Sequence, residues 1–178
     1  MPAPRAEIAW NTPAYENEPL VAPTGFREYD ARWLFFRRGK DGTVTSQLNL
    51  LGARALGLGL GTFLHDRGVR PEVVVGHDYR EYSASIKNAV VTGLLAAGCT
   101  VHDIGLALSP MAYFAQFELD VPGVAMVTAS HNENGWTGVK MGCEPPLTFG
   151  PGDMAALRDL VLEGKWRERD GGRLVHHP

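Results

Sequence analysis

Short apolar runs that alternate with longer helix-like segments are the feature that most constrains this chain. Strand-like runs are predicted at 33–36, 72–76, 100–104, 123–127 and 138–141. Helical patterns are predicted over 46–66, 83–97, 111–118 and 153–162, with Ser46, Ser83 and Asp153 as N-caps. Strands separated by helices of this length favour βαβ units. The predicted fold class is α/β: a mixed, largely parallel sheet with helices on both faces.

Composition excludes several classes of protein. With 178 residues, 44% of them hydrophobic and 21% charged, the chain is long enough for one ordinary domain with a real core. A formal charge of −3 gives no basic excess that would favour nucleic acid or a membrane surface as partner. The two cysteines, Cys99 and Cys143, are too few for a disulfide framework. Because no apolar leader or spanning run is visible, we expect a cytoplasmic protein.

The two ends differ in composition from the centre. Residues 1–23 hold five prolines and are predicted to form an irregular surface arm. Residues 24–164 carry the alternating pattern and are predicted to be the folded domain. Residues 165–178 are rich in charge and glycine and are predicted to be a linker-like tail.

One loop contains most of the reactive side chains. In a parallel sheet, ligands collect where strands end, which directs attention to 77–83, 105–110 and 128–138. The last of these holds Ser130, His131 and Asn132 with two glycines, and Lys140 follows it. Ser130 could accept a phosphoryl group whose oxygens meet backbone N–H groups, and Lys140 could supply positive charge or act as a base. A solvated connection made of turn residues is the alternative.

Competing catalytic classes fail on local pattern. Ser130 lacks the G-x-S-x-G elbow of serine hydrolases. Ser130 and His131 are adjacent, so on an extended segment their side chains would point to opposite sides and would not form a dyad. The run Gly57-Leu-Gly59-Leu-Gly61-Thr62 lacks the third glycine of a dinucleotide fingerprint at the required place and follows no strand. His65, His77 and His102 show no metal-ligand spacing, and the pair His176-His177 is expected to face solvent.

Five segments in the right order resemble the α-D-phosphohexomutases, the phosphomannomutase/phosphoglucomutase family. Thr128-Ala-Ser-His-Asn resembles the family's phosphoserine loop. The others are Phe26-Arg-Glu-Tyr-Asp-Ala-Arg32, Gly76-His-Asp-Tyr-Arg80-Glu-Tyr-Ser83, Ser109-Pro110 and Pro146-Leu147. The resemblance spans about 24–166 and covers only the first of the family's four domains. The glycine-containing opening of the related phosphoglucosamine mutases is absent.

The resemblance implies that Ser130 carries the phosphoryl group and, through its phosphate, is this domain's ligand to Mg²⁺. It implies catalytic roles beside the phosphoserine for His131, Lys140 and Arg32. Tyr29, Asn132 and Arg80 would support the loop, Arg80 by pairing with a carboxylate. The implied substrates are hexose phosphates and glucose or mannose 1,6-bisphosphate, and the implied partners are the remaining domains of the same enzyme.

This sequence departs from the family pattern at four positions: His77, Trp33, Glu133 and Thr137 stand where the family usually has Arg, Gly, Pro and Asn. Glu133 adds negative charge near the expected phosphoserine. Without the acidic metal loop and the sugar-recognition loops of the later domains, we expect an isolated chain to be inactive. A standalone, non-catalytic module that binds phosphate or docks on a partner is the alternative.

Overall fold

The computed structural model describes residues 1–177 and confirms the predicted fold class. The strands of its six-stranded sheet are β1 Ala31–Leu34, β4 Glu72–His77, β5 Thr100–Leu106, β6 Gly123–Val127, β7 Trp136–Gly142 and β8 Arg173–His176. Their order in the sheet is β1-β7-β6-β4-β5-β8. β6, β4, β5 and β8 are parallel, and β7 is antiparallel to both β6 and β1. A separate hairpin pairs β2 Arg37–Arg38 with β3 Val44–Thr45.

Helices cover both faces of the sheet. The helices are α1 Pro13–Asn17, α2 Leu50–Asp66, α3 Ser83–Ala96, α4 Ser109–Glu118 and α5 Pro151–Leu162. The main core lies between one face of the sheet and α2, α3 and α5, while a smaller cluster around Val124 and Met126 lies under α4. Because the sheet is buried on both faces over its centre, β6 is apolar without alternation.

The three predicted N-caps were wrong, because each of these side chains bonds to another partner. Helix α2 begins after Asn49, whose side chain accepts from Gly52 N at 2.8 Å and also from Leu20 N at 2.9 Å. Ser46, the predicted cap, instead contacts the hydroxyl of Tyr15 at 3.1 Å.

The other two predicted caps are also occupied elsewhere. Ser83 is the first residue of α3 and its hydroxyl donates to Asp78 at 2.6 Å. Asp153 lies inside α5, which begins after Gly150, and pairs with Arg67 at 2.5 Å.

The two ends are more ordered than their composition indicates. The predicted arm contains α1, and its Leu20 and Val21 are fully buried, so its last residues belong to the core. The predicted linker-like tail contains β8, which pairs with β5. This added strand occupies the backbone donors and acceptors that an open edge of β5 would leave unpaired.

No helix within residues 1–177 is both long and apolar enough to cross a membrane.

Candidate active site

Two loops meet at the carboxyl edge of the parallel strands. β4 and β6 are parallel neighbours, so the loop after His77 and the loop after Val127 leave the sheet at the same edge. The first loop runs over 78–82 into α3, and the second over 128–135 into β7. The sequence prediction that chemistry-bearing residues gather at this edge is therefore matched by the order of the strands.

Ser130 has a backbone conformation that side chains rarely adopt. Its φ is +55°, in the left-handed region, and its N–H donates to the hydroxyl of Thr128 at 2.9 Å. Such a residue costs about 1–2 kcal/mol relative to ordinary backbone unless it is glycine. The side chain is exposed, so the surrounding structure holds a strained serine with its hydroxyl open to solvent.

The prediction that Ser130 and His131 point to opposite sides was wrong. The Oγ atom of Ser130 lies 3.3 Å from Nδ1 of His131, within hydrogen-bond reach. The left-handed turn at Ser130 removes the extended geometry on which that prediction depended. The contact joins a hydroxyl to a group that can accept or donate a proton.

Asp78 is a buried carboxylate that organises both loops. It accepts from the Ser83 hydroxyl at 2.6 Å and from Arg80 N at 3.2 Å, and its other oxygen pairs with the Arg80 guanidinium. Burial by itself would raise the pKa of Asp78, but hydrogen bonds from Ser83 and Thr128 and the charge of Arg80 together lower it. The carboxylate is therefore ionised, and both of its oxygens accept hydrogen bonds.

Arg80 connects this carboxylate to the serine loop. Its guanidinium donates to the backbone carbonyl of Ser130 at 3.2 Å and to that of Asn132 at 2.6 Å. Arg80 is only 7% exposed, so its planar fork is fixed on both sides. The predicted pairing with a carboxylate is present, and the carboxylate is Asp78.

Arg32 reaches the same loop from β1. Its guanidinium donates to Asp30 at 2.8 Å through Nε and to the side-chain oxygen of Asn132 at 2.6 Å. Asn132 thus holds Arg32 with its side chain and Arg80 with its backbone. Arg32, Asn132, Arg80, Ser130 and His131 form one connected group.

The two remaining predicted residues are less closely joined to this group. Lys140 lies on β7, two positions beyond Gly138, and Gly138 is paired with Arg32 of β1. Lys140 and Arg32 consequently lie on the same face of the sheet. Tyr29 is 60% exposed, and within residues 1–177 no hydrogen bond joins it to the serine loop.

Gly138 explains why β1 can lie so close to this loop. A Cβ atom there would come within 2.4 Å of Ala31 O and 2.9 Å of Thr128 O. Both contacts are with backbone, which cannot move aside without disturbing the sheet. A glycine is therefore required where β7 passes between Arg32's strand and the start of the loop.

Sequence reasoning missed three residues that the structure places in this network. All three lie in the predicted loop after β4, but Asp78 and Tyr82 were assigned no role, and Ser83 was assigned only that of a helix cap. Asp78 and Ser83 could have been found from the sequence, because a spacing of five residues across a helix start allows a hydrogen bond between their side chains. Nothing local identified Tyr82, because its partners are more than fifty residues away.

The departures from the family pattern have local explanations at two positions. Trp33 is fully buried and donates its indole N–H to Ala22 O at 2.8 Å, so it is a core residue. Glu133 pairs with Arg37 at 2.5 Å, which balances the negative charge that it brings to the loop. The hydroxyl of Thr137 is buried and has no hydrogen-bond partner within residues 1–177.

The carboxylates beside the serine loop are already engaged in ion pairs. Among residues 1–177, no three His, Cys, Asp or Glu side chains lie close enough together to hold a metal ion. The nearby carboxylates of Asp78 and Glu133 already pair with Arg80 and Arg37.

Comparison with known proteins agrees with this architecture. Residues 32–168 match the family model described as phosphoglucomutase/phosphomannomutase, alpha/beta/alpha domain I. A structure of a phosphoglucomutase/phosphomannomutase family protein from Burkholderia thailandensis superposes with a TM-score of 0.74 at 24% identity. That alignment covers 89% of this chain and 34% of the other.

Curated relatives carry several mutase names. A "Probable phosphoglucosamine mutase" from Pyrococcus horikoshii is 36% identical over 65% of this chain and 25% of its own length. "Phosphohexose mutases" from Xanthomonas campestris is 38% identical over 76% of this chain and 28% of its own. A "Phosphomannomutase" from Escherichia coli is 39% identical over 66% and 23%. The chain thus spans about a quarter of the length of these relatives.

The strand order and the braced loop after β6 define an α/β domain whose candidate site lies at the carboxyl ends of the parallel strands. The chain belongs to the phosphoglucomutase/phosphomannomutase family, and residues 32–168 are its domain I.

Proposed function

We propose that this chain is the phosphoryl-carrying first domain of a phosphomannomutase/phosphoglucomutase-type enzyme. Ser130 takes a phosphoryl group from a sugar 1,6-bisphosphate and returns it to a hexose monophosphate. The observation that carries the proposal is the exposed hydroxyl of Ser130 on a strained turn, held by Arg80 and Thr128. Strain maintained by buried hydrogen bonds is typical of reactive positions.

Each transfer exchanges one P–O bond for another. The Ser130 oxygen bonds to phosphorus while the bond from phosphorus to the sugar oxygen breaks, and the reverse step regenerates the free serine. The serine proton must leave as the new bond forms. His131 Nδ1, at 3.3 Å, can accept it in the tautomer that carries its proton on Nε2.

Positive charge supports the transferring phosphoryl group. Arg32 is held beside the loop by Asp30 and Asn132, and Lys140 lies on the same sheet face. Phosphoryl transfer depends mainly on positioning and on charge stabilisation of the phosphoryl oxygens. Tyr29, exposed at the end of the segment that leads into β1, is available to contact substrate.

The phosphate of Ser130 would hold Mg²⁺, with the other ligands supplied from outside residues 1–177. When bound, the cation neutralises charge on the phosphoryl oxygens. Because Asp78 and Glu133 are paired with arginines, they stay with the loop and orient it.

An exposed apolar surface favours this proposal over a standalone module. On α4 and the strand end before it, Leu106, Leu108, Met111, Phe114 and Phe117 are each between 52% and 66% exposed. A module that works alone would be expected to present a polar surface there, whereas a domain that packs against others leaves an apolar one. Solution scattering at several concentrations tests this, because self-association through the patch would rise with concentration.

Intact mass and phosphopeptide mapping provide the direct test. The chain is analysed as purified and after incubation with glucose 1,6-bisphosphate and Mg²⁺. One added phosphoryl group on Ser130, absent from Ser130→Ala, is expected. Ser85→Ala, which removes another exposed serine hydroxyl, is the matched control and should take up phosphate like the unmodified chain. Phosphate on any other residue contradicts the site.

Turnover is a separate question from phosphorylation. With one metal ligand and no sugar-binding loops within this chain, we expect negligible interconversion of mannose 1- and 6-phosphates. Measurable interconversion by the purified chain would contradict that part of the proposal.

A further inference from the structure

We propose that Tyr82 is a positioning residue, which fixes the far end of the serine loop and so sets the approach of Ser130 to its phosphoryl donor. The inference rests on the proposed function, because it concerns the geometry of that same reaction. The contacts that support it are made by residues that do not touch Ser130 directly.

The Tyr82 hydroxyl makes two hydrogen bonds to the loop's end. It accepts from Gly135 N at 2.8 Å and donates to Trp136 O at 2.8 Å. Burial raises the pKa of the Tyr82 phenol, so the hydroxyl keeps the proton that it donates. A single side chain thus satisfies one backbone donor and one backbone acceptor where the loop enters β7.

The ring of Tyr82 is itself held in place. It stacks on Phe35 with centroids 5.1 Å apart and meets Phe36 edge-on at 5.7 Å. The backbone amides of the same two phenylalanines donate to Gly135 O at 2.8 and 3.2 Å. The N–H of Gly135 is therefore bonded by Tyr82, and its carbonyl is bonded by the segment after β1.

Gly135 cannot easily be replaced or turned. Its φ is +96°, and a Cβ atom would come within 2.5 Å of Phe36 O. The loop consequently has a fixed end at Gly135, held by Tyr82, and a fixed start, held by Asp78 and Arg80. Both anchors come from the six-residue stretch 78–83.

A loop anchored at one end alone could still swing. Ser130 lies between the two anchors, five residues before Gly135. Without the Tyr82 bonds, Gly135 would be held only through its carbonyl, which would widen the range of positions that Oγ samples. Transfer needs the attacking oxygen in line with the phosphorus, and small misplacements slow such reactions strongly. Tyr82 therefore acts on rate through the loop, without touching substrate.

The test compares Tyr82→Phe with Tyr79→Phe in the 178-residue chain. Tyr82→Phe removes only the bonded hydroxyl and keeps the aromatic stack. Tyr79 is 81% exposed, so its variant controls for loss of a tyrosine hydroxyl in the same loop. Amide hydrogen exchange of 128–136 is measured, with α2 as an internal reference for global unfolding. The rate of phosphate uptake by Ser130 from glucose 1,6-bisphosphate is the second measurement.

For Tyr82→Phe we expect exchange of 130–135 to be about thirtyfold faster, because both hydrogen bonds of the hydroxyl are lost, with α2 unchanged. Phosphate uptake should slow by a similar factor, and Tyr79→Phe should match the unmodified chain in both measurements. Unchanged loop exchange, or unchanged uptake in a chain that does take up phosphate, would overturn the inference. If the unmodified chain takes up no phosphate, the proposed function is contradicted, and loop exchange still decides whether Tyr82 holds the loop.

Discussion

The guanidinium of Arg80 donates to the backbone carbonyl of Ser130 at 3.2 Å, across fifty residues of sequence. The same guanidinium pairs with Asp78 and reaches Asn132 O at 2.6 Å. One arginine thus joins the loop after β4 to the loop after β6 and holds Ser130 in its left-handed conformation. The backbone geometry of Ser130 therefore depends on a loop that follows a neighbouring strand.

Replacing Ser130 should reveal the strain at that position. Ser130→Gly is expected to be more stable than Ser130→Ala by about 1 kcal/mol, because only glycine adopts a φ near +55° without a steric cost. Urea unfolding of the two variants measures the difference. Equal stability would mean that the left-handed conformation does not persist in solution.

Removing the charge of Asp78 should destabilise the chain in a pH-dependent way. Asp78→Asn leaves the buried Arg80 without its carboxylate, so a loss of about 3 kcal/mol is expected at pH 7. The pKa of Asp78 is lowered in the folded state, so its stabilising effect is full above the ordinary aspartate pKa, about 4, and is lost as pH falls through the lowered value.

The measurement for Asp78 is urea unfolding of both proteins at several pH values between 7 and 3. The stability gap should be constant at neutral pH and should narrow below about pH 4. A gap that stays constant down to pH 3 would show that the carboxylate charge is not what stabilises the loops.

Adding a methyl group at Gly138 should disrupt the junction of β1 and β7. Gly138→Ala places Cβ against two backbone oxygens, at 2.4 and 2.9 Å, so a loss of about 3 kcal/mol is expected. Gly152→Ala is the matched control, because no atom lies within 4 Å of its added Cβ and alanine favours a helix. Thermal unfolding of both variants should separate them clearly; similar midpoints would contradict the close approach.

Removing one partner of the buried ion pair under α3 should destabilise the protein. Lys87 pairs with Asp103, and both side chains are at most 8% exposed. Lys87→Met leaves the buried Asp103 with only the Gly105 N–H and His176 beside it, so about 3 kcal/mol should be lost. The double variant Lys87→Met with Asp103→Leu should recover part of that loss in urea unfolding. No recovery would show that the two positions act independently.

Much of the fold could be predicted from local pattern because strand and helix periods are local properties. The strand at Gly123–Val127 matched its prediction at both ends. The start of α2 did not, since Asn49 was selected as cap by Leu20, Tyr15 and Glu18 in a distant segment. The pattern of residues around a helix start does not reveal such distant partners.

The candidate site, like the fold, could be predicted from the sequence only in part. Ser130, His131 and Asn132 could be named from the sequence because they are contiguous and follow a buried strand. The role of Arg80 was predicted only as a pairing with a carboxylate. Tyr82 was not predicted, because its hydrogen bonds to Gly135 and Trp136 depend on how β4, β6 and β7 lie in the sheet.

By itself, the sequence determined the alternating strands and helices, the α/β class, and the loop that carries Ser130, since each depends on neighbours within a few residues. Tertiary structure alone decided the left-handed turn at Ser130, its contact with His131, and the anchoring of the loop at both ends. Those features depend on hydrogen bonds between residues about fifty positions apart, which form only once parallel strands bring their carboxyl ends to one edge.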